Sequence, residues 1–532
     1  MCRRPPIPRK KPPMSAQPLG NVLFITMDQW RAECLSLLGH PCLKTPHLDA
    51  IAADGVIFRN HFVQCSPCGP SRASLYTGQY MQNHRSVING TPLDTRHTNV
   101  ALEARAVGYS PLLFGYTDTS PDPHTLTADD PRLRTFAGLL PGFDARLELG
   151  YFDHSTWLDH LRTKGYAVPD GQWHIYDPVS NYPGAAERGP TYAPPIYGAE
   201  DSQTAFLTDA VLEELSAAGD APWFIHASYL RPHPPMVAPE PYNALYDPAD
   251  TPPPVRAASA DDEARQHPWL AREIALLHEL GDWTVQPAPG VDYDRDLAQI
   301  RATYYGLISK IDDAVGRIVA HLKDIGAYDN TLIVVTSDHG EMLGDHWLFA
   351  KRGYFDEAFQ VPLIVRDPRA NATPGTAVDA FSESIDIMPT ILDWIGRETP
   401  RQCDGYSVLP FCHGSPPAAW RTEVHWEYDF RDVAGGCPEG DLGLAMDQCN
   451  LAVIRDEDYK YVHFHGLPPL FFDRRDDPAE LIDRAGDPAY AGLVRDYAQK
   501  MLTWRMANDD RRLTGIQLTP AGPVSRDDRR PL

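Results

Sequence analysis

Five short apolar runs punctuate this chain, each ending in or followed by polar residues: NVLFITMD (Asn21 to Asp28), PLLFGY (Pro111 to Tyr116), PWFIHASYL (Pro222 to Leu230), TLIVVTSDH (Thr331 to His339) and VPLIVRD (Val361 to Asp367). Their β-branched and aromatic content, with no alternation of polar and apolar positions, reads as strands buried on both faces of a parallel sheet. Helical patterns lie between them. TPHLDAIAADG carries Thr45 as N-cap, Pro46 at the first helical position and Gly55 as terminator. A longer helix over Leu297 to Ile325 has an apolar stripe at Ile300, Tyr304, Ile308, Ile311, Val315, Ile318 and Leu322. Strands alternating with helices predict an α/β fold with a large, mostly parallel sheet flanked by helices. Ligands in such sheets bind at the carboxyl ends of strands, which puts Asp28, Tyr116, His233, Asp338 and His339 on one rim.

The texture changes along the 532 residues. Residues 1–20 are basic and proline-rich and read as a flexible tail, and 21–410 form the α/β domain. Residues 411–532 read as a smaller α+β domain: EVHWEYDF, LAVIRDEDYKYVHFH and LFFDRRDD suggest an antiparallel sheet, closed by a helix near Gly492 to Ala507. Beyond Asp509 periodicity fades, and an arm gripping a neighbouring subunit is expected, making the protein a homo-oligomer, dimer or tetramer. Two proline-rich stretches, Asp170 to Pro195 and Val237 to Val255, read as long loops able to wall a pocket.

Lys and Arg number 48 against 72 Asp and Glu, a net charge of −24. That field repels nucleic acid and anionic lipid, so neither is an expected partner, and an anionic substrate would need a locally positive pocket. Nine scattered cysteines without disulfide or zinc-ribbon spacing point to a reducing, cytoplasmic setting. No stretch approaches the roughly 20 apolar residues of a membrane span, and no apolar run follows the basic start as a secretory signal requires.

CSPCGPSRASLYTG (Cys65 to Gly78) sets Cys68 where a helix begins, with Pro70 suited to its first turn. Free N–H groups there favour negative charge. Taken alone, the stretch fits a buried structural cysteine or a thiol nucleophile served by a His–Asp pair. CGPSR resembles, however, the signature of the type I sulfatases of the alkaline phosphatase superfamily, and further stretches resemble that family in order. These are FITMDQ, TPHLDAIAADGVIF, TSDHGEMLGDHWLFAKRGYFDEAFQVPLIV, SIDIMPTILDWIG and FDRRDDPAEL. The resemblance spans about residues 21–500 and implies an alkaline phosphatase-like fold. Two departures, Gln29 and His339 where many arylsulfatases carry a second acid and an asparagine, look more like the phosphonate monoester hydrolase branch. GYTD (Gly115 to Asp118) stands where many sulfatases have a lysine-containing GKWH.

The resemblance implies that a formylglycine-generating enzyme reads Pro70 and Arg72 and oxidises Cys68 to formylglycine, whose hydrate has two hydroxyls. Cys65 lacks an arginine four residues on and does not match. One hydroxyl would attack sulfur or phosphorus and expel the alcohol; the other, losing its proton, would restore the aldehyde. Asp28, Asp338, His339 and modified Cys68 are the implied ligands of one divalent metal ion, with Gln29 a fifth. A single imidazole among oxygens suits Mn2+, with Ca2+ the alternative. Arg72 would hold the hydrate, Lys351 the substrate's non-bridging oxygens and His233 the leaving oxygen, with Asn89, Tyr116 and Thr117 as substrate contacts; His84 and His346 could also enter the pocket. The expected function is a sulfate monoester hydrolase of arylsulfatase type, promiscuous toward phosphonate and phosphate esters of small molecules. The alternative is a phosphonate monoester hydrolase or phosphodiesterase with the same nucleophile. Outside that chemistry stand a phosphatase relative with an unmodified nucleophile and a metal-stabilised scaffold.

Overall fold

Strand β1 (Asn21–Asp28) is buried along its whole length. In the computed structural model, which describes residues 20–526 apart from 151–152, 220, 280–291 and 370, it lies near the middle of an eight-stranded sheet. The expected tail, bar Gly20, lies outside the described residues. The other strands of this sheet are β2 (Val56–Phe58), β4 (Leu112–Gly115), β5 (Asp144–Glu148), β6 (Phe224–Pro232), β7 (Thr331–Ser337), β8 (Leu363–Arg366) and β9 (Thr376–Val378). Their order is β9-β2-β8-β7-β1-β6-β4-β5. β1 pairs in parallel with β6 and β7, and the sheet is parallel except at β8, which runs antiparallel to both neighbours. The sequence reads β8 as one more parallel strand. A strand apolar on both faces looks the same in either direction, so its polarity is not written in its pattern.

Helix α1 (Pro46–Ala53) follows Thr45, but the threonine hydroxyl makes no capping bond. Asp312 does this work instead: its carboxylate accepts from the His47 and Leu48 N–H groups at 3.0 and 2.8 Å. Asp312 belongs to α3 (Tyr293–Asp324), the long helix whose expected apolar stripe from Ile300 to Leu322 is buried against one face of the sheet. Helix α2 (Cys68–Thr77) is buried on every side. Such a helix has no solvent face to satisfy its polar side chains, so they must find partners inside.

The C-terminal strands β10 (Glu423–Asp429), β11 (Asn450–Asp456), β12 (Tyr459–Phe464) and β13 (Leu470–Asp473) form the expected antiparallel sheet, closed by α4 (Ala491–Ala507). Its fifth strand comes from far away in sequence. β3 (Cys65–Ser66), just before the CGPSR stretch, pairs in parallel with β10. The proline-rich stretches contain short helical turns, including 3-10 turns at 174–176 and 242–244. Beyond α4, Ile516–Thr519 and Gly522–Ser525 make a hairpin. Among the described residues no helix is long and apolar enough to cross a membrane.

Candidate active site

The carboxyl ends of β1 and β7 and the amino end of α2 converge on one point. One ligand atom from each of Asp28, Cys68, Asp338 and His339 lies within 4.8 Å of the others, and all four residues are buried. Cys68 Sγ is 3.2 Å from His339 Nε2 and 4.0 Å from Asp28 Oδ1. His339 Nδ1 donates to the Gly340 carbonyl at 3.0 Å, which turns the Nε2 lone pair into the cluster. Gly340 admits no side chain, because a Cβ there would sit 2.0 Å from the Glu357 carbonyl oxygen.

Arg72, one turn into α2 and fully buried, holds the two acids. Its Nε donates to Asp338 Oδ2 at 2.8 Å, and another guanidinium nitrogen reaches Asp28 Oδ2 at 3.4 Å. Further bonds go to the Tyr116 carbonyl and Ser228 Oγ, and the guanidinium lies 4.2 Å over the Tyr116 ring. The Tyr116 hydroxyl donates to Asp28, and the Ser71 hydroxyl to the Asp338 carbonyl.

The two carboxylates respond differently to this setting. Burial, then the neighbouring Asp338, pushes the Asp28 carboxyl above its ordinary range. Burial would raise Asp338 too, but His339, Arg72 and Lys351 outweigh it and bring that carboxyl down to about 2. Burial lowers His339 to about 4, keeping its imidazole neutral and able to ligate. The Cys68 thiol is raised by burial and then by Asp28, the opposite of what a thiolate nucleophile needs.

Around this cluster, Lys351 Nζ donates to Gln29 Oε1 at 2.8 Å. Asn89 Oδ1 accepts the Gly69 N–H at 2.9 Å, which leaves its NH2 end turned away from α2. A Cβ at Gly69 would lie 3.1 Å from both Asn89 Oδ1 and the Asp118 carbonyl, a tight fit that favours glycine after Cys68. His233 Nδ1 bonds the Pro234 carbonyl at 2.8 Å, and burial, reinforced by Lys351, holds its pKa well below the usual value. A neutral imidazole suits a hydrogen-bonding role better than proton donation. Thr117 is buried, with its hydroxyl committed to the 138–140 loop: it donates to the Gly138 carbonyl and accepts from Leu140 N–H. His84 bonds Ser74, and His346 lies 2.5 Å from Glu263 and stacks on Phe355.

Sequence reasoning passed over Ser71, Ser228, Glu341 and Asp118. Glu341 is two residues past His339, so position alone could have flagged it, whereas Ser228 lies in the middle of β6 and carries no such signal. Asp118 is 3% exposed, and burial raises its carboxyl to about 7.

Comparison with known proteins supplies the family. A model described as Sulfatase matches residues 20–397, and one described as N-sulphoglucosamine sulphohydrolase, C-terminal, matches residues 344–507. The chain belongs to the sulfatase family. It is a hydrolase of a family that works with a metal ion and a formylglycine. This sulfatase-family chain is 46% identical to the multifunctional alkaline phosphatase superfamily protein PehA of Trinickia caryophylli, over 95% of its own length and 99% of the relative's. It is similar to the crystal structure of the phosphonate monoester hydrolase of Agrobacterium radiobacter, with a TM-score of 0.91 and 45% identity over 96% and 100% of the two chains. An arylsulfatase of Clostridium perfringens is 26% identical over 95% of this chain and 98% of its own.

Proposed function

We propose that this sulfatase-family chain hydrolyses phosphonate monoesters, with phosphodiesters and sulfate monoesters of small molecules as secondary substrates of the same site. The order reverses the one expected from sequence. The observation that carries it is the near-full-length 45% identity to a phosphonate monoester hydrolase, against 26% to an arylsulfatase. The Gln29 and His339 departures agree with it.

The donor set fits a divalent cation. Two buried carboxylates lie together beside a neutral imidazole, and burial, then the neighbouring Asp338, raises the Asp28 carboxyl, a penalty on its charge that a cation would relieve. Asp28, Asp338, His339 and residue 68 would hold it, with Gln29 alongside; Mn2+ or Ca2+ suits these donors. Cys68 Sγ stands where the oxygens of the formylglycine hydrate would sit once a formylglycine-generating enzyme has acted. Together the cation and the hydrate would supply charge neutralisation and a nucleophilic oxygen.

The chain's own residues do the rest. Arg72 helps keep Asp338 ionised and holds both acids toward residue 68. Lys351 offers a half-buried ammonium to the non-bridging oxygens, and its pKa is raised because Cys68, Asp28 and Asp338 outweigh its desolvation. The Asn89 NH2 group, oriented by Gly69, donates to the same anion, and His233 bonds the leaving oxygen. Tyr116 acts on substrate chiefly through Asp28, and Thr117 through the loop it ties down. Lys351→Ala is expected to lower kcat/KM by about 10²- to 10³-fold without loss of folding, as seen by steady-state kinetics beside a thermal melt.

The reading is tested by comparing 4-nitrophenyl phenylphosphonate with 4-nitrophenyl sulfate, which share a leaving group. The phosphonate should be preferred by about tenfold or more in kcat/KM. A preference for the sulfate would restore the arylsulfatase assignment. We place this activity in the cytoplasm, since no disulfide links the described cysteines. A dimer or tetramer would cover the apolar side chains that α4 and the terminal hairpin expose, among them Met506 at 70% and Leu518 at 81%.

A further inference from the structure

Glu341 is 1% exposed and lies two residues past His339, yet its hydrogen bonds go elsewhere than to the candidate metal ligands Asp338 and His339. Its carboxylate is fully used. Oε1 accepts from the Leu343 and Ala350 N–H groups at 3.0 and 2.6 Å, and Oε2 accepts from Gln29 Nε2. On the other side of the same amide, Gln29 Oε1 accepts from Lys351 Nζ. The backbone of Gln29 is pinned as well. It sits at φ +73°, held by its N–H on Asp338 Oδ1 at 3.2 Å and by the Tyr304 hydroxyl on its carbonyl at 2.6 Å.

We propose that Glu341 is a positioning residue that sets the polarity of the Gln29 amide. By capturing the NH2 end it turns the oxygen end toward Lys351 and the ligand cluster, and so fixes where the ammonium points. An amide has nearly the same shape in either orientation, so only its hydrogen-bond partners choose between them. Here one partner is a carboxylate, which can only accept, and the other an ammonium, which can only donate; the pair admits one orientation. The same glutamate clasps the N–H of Ala350, next to Lys351, so it holds both the acceptor and the root of the donor.

Glu341→Gln changes this with almost no change of shape. Glutamine has one acceptor oxygen where the carboxylate has two, so it cannot serve both Gln29 and the two backbone N–H groups. If its oxygen stays with the backbone, its NH2 faces Gln29, the Gln29 amide flips, and an NH2 group is turned on Lys351 and on the cation's donors.

The inference rests on the phosphonate hydrolase reading, and a double-mutant cycle on the metal-loaded, converted enzyme tests it. With 4-nitrophenyl phenylphosphonate, Glu341→Gln and Gln29→Met are each expected to lose about 10- to 100-fold in kcat/KM. The double variant should lie within about threefold of Gln29→Met alone. Losses that multiply would overturn the inference, because a glutamate that merely clasps the 343–350 loop acts whatever stands at position 29. A second arm needs no turnover: calorimetric titration of the metal-free protein with Mn2+ should find Glu341→Gln weaker by about tenfold. Unchanged affinity would equally overturn it. A thermal melt controls for folding, and should Glu341→Gln not fold, Glu341→Asp, which keeps the charge but draws it back from Gln29, enters the same cycle. If the wild type is converted at Cys68 but inactive toward the phosphonate, the reading above falls while the Mn2+ arm still judges Glu341.

Discussion

Cys68→Ala is expected to abolish turnover of phosphonate and sulfate esters together, by on the order of 10⁵-fold or more. Residue 68 is the one position where the amino end of α2, the His339 imidazole and both acids meet. Among the described residues around it no other nucleophile is placed to substitute. The Ser66 and Ser71 hydroxyls are committed to the Lys351 and Asp338 carbonyls, and the nearest other thiol, Cys65, has its sulfur 3.4 Å from Ser74 Oγ with its pKa raised by burial. The alanine variant should nevertheless fold, since the side chain removed is small and carries no part of the apolar core. Kinetics on both esters, with peptide mass analysis of the wild type across residues 65–72, check the result. Activity retained within about 100-fold, or an unmodified thiol in an enzyme of full activity, would overturn the formylglycine assignment.

The second large effect is on stability. Arg72→Met should destabilise the protein by about 3–5 kcal/mol, seen as a fall of several degrees in the thermal midpoint. Methionine fills much of the arginine's volume, so the loss is electrostatic. Asp338 and Asp28 would remain buried beside each other with their nearest guanidinium gone, and Ser228 Oγ and the Tyr116 carbonyl would lose their donor. The origin of the loss gives it a signature. Added Mn2+ would replace part of the missing positive charge, so it should raise the midpoint of Arg72→Met by more than that of the wild type. Equal increments in the two proteins would mean that Arg72 does not share its acids with a cation.

Much of this site is legible in the sequence because two kinds of signal coincide. Runs such as NVLFITMD and TLIVVTSDH state a buried strand and, at its end, the polar residue that the strand delivers; CGPSR marks the start of a helix. Those signals are local, and they place Asp28, Asp338, His339 and Cys68 within reach of one another. The illegible parts depend on long-range pairing. The reversed direction of β8 leaves no trace in a strand that is apolar on both faces. β3 is two residues long, too short for any period to register. Asp312 replaces Thr45 as the cap of α1 across 265 residues of chain. Gln29, Glu341 and Lys351 are ordinary polar residues until the fold aligns their donors and acceptors.

The short pairing of Cys65 and Ser66 with β10 bears on when the protein becomes competent. Cys68 is 5% exposed and Arg72 not at all, so in the finished molecule the CGPSR stretch offers nothing for a second enzyme to grasp. Glu427 and Tyr428, which pair with Cys65 and Ser66, lie far downstream in the chain, so this pairing forms only after they have been synthesised. Conversion of Cys68, on the proposed reading, is therefore a race between maturation and folding: whatever fraction of chains collapses before being visited stays permanently inert, and the speed of synthesis in a host would govern the specific activity of every preparation.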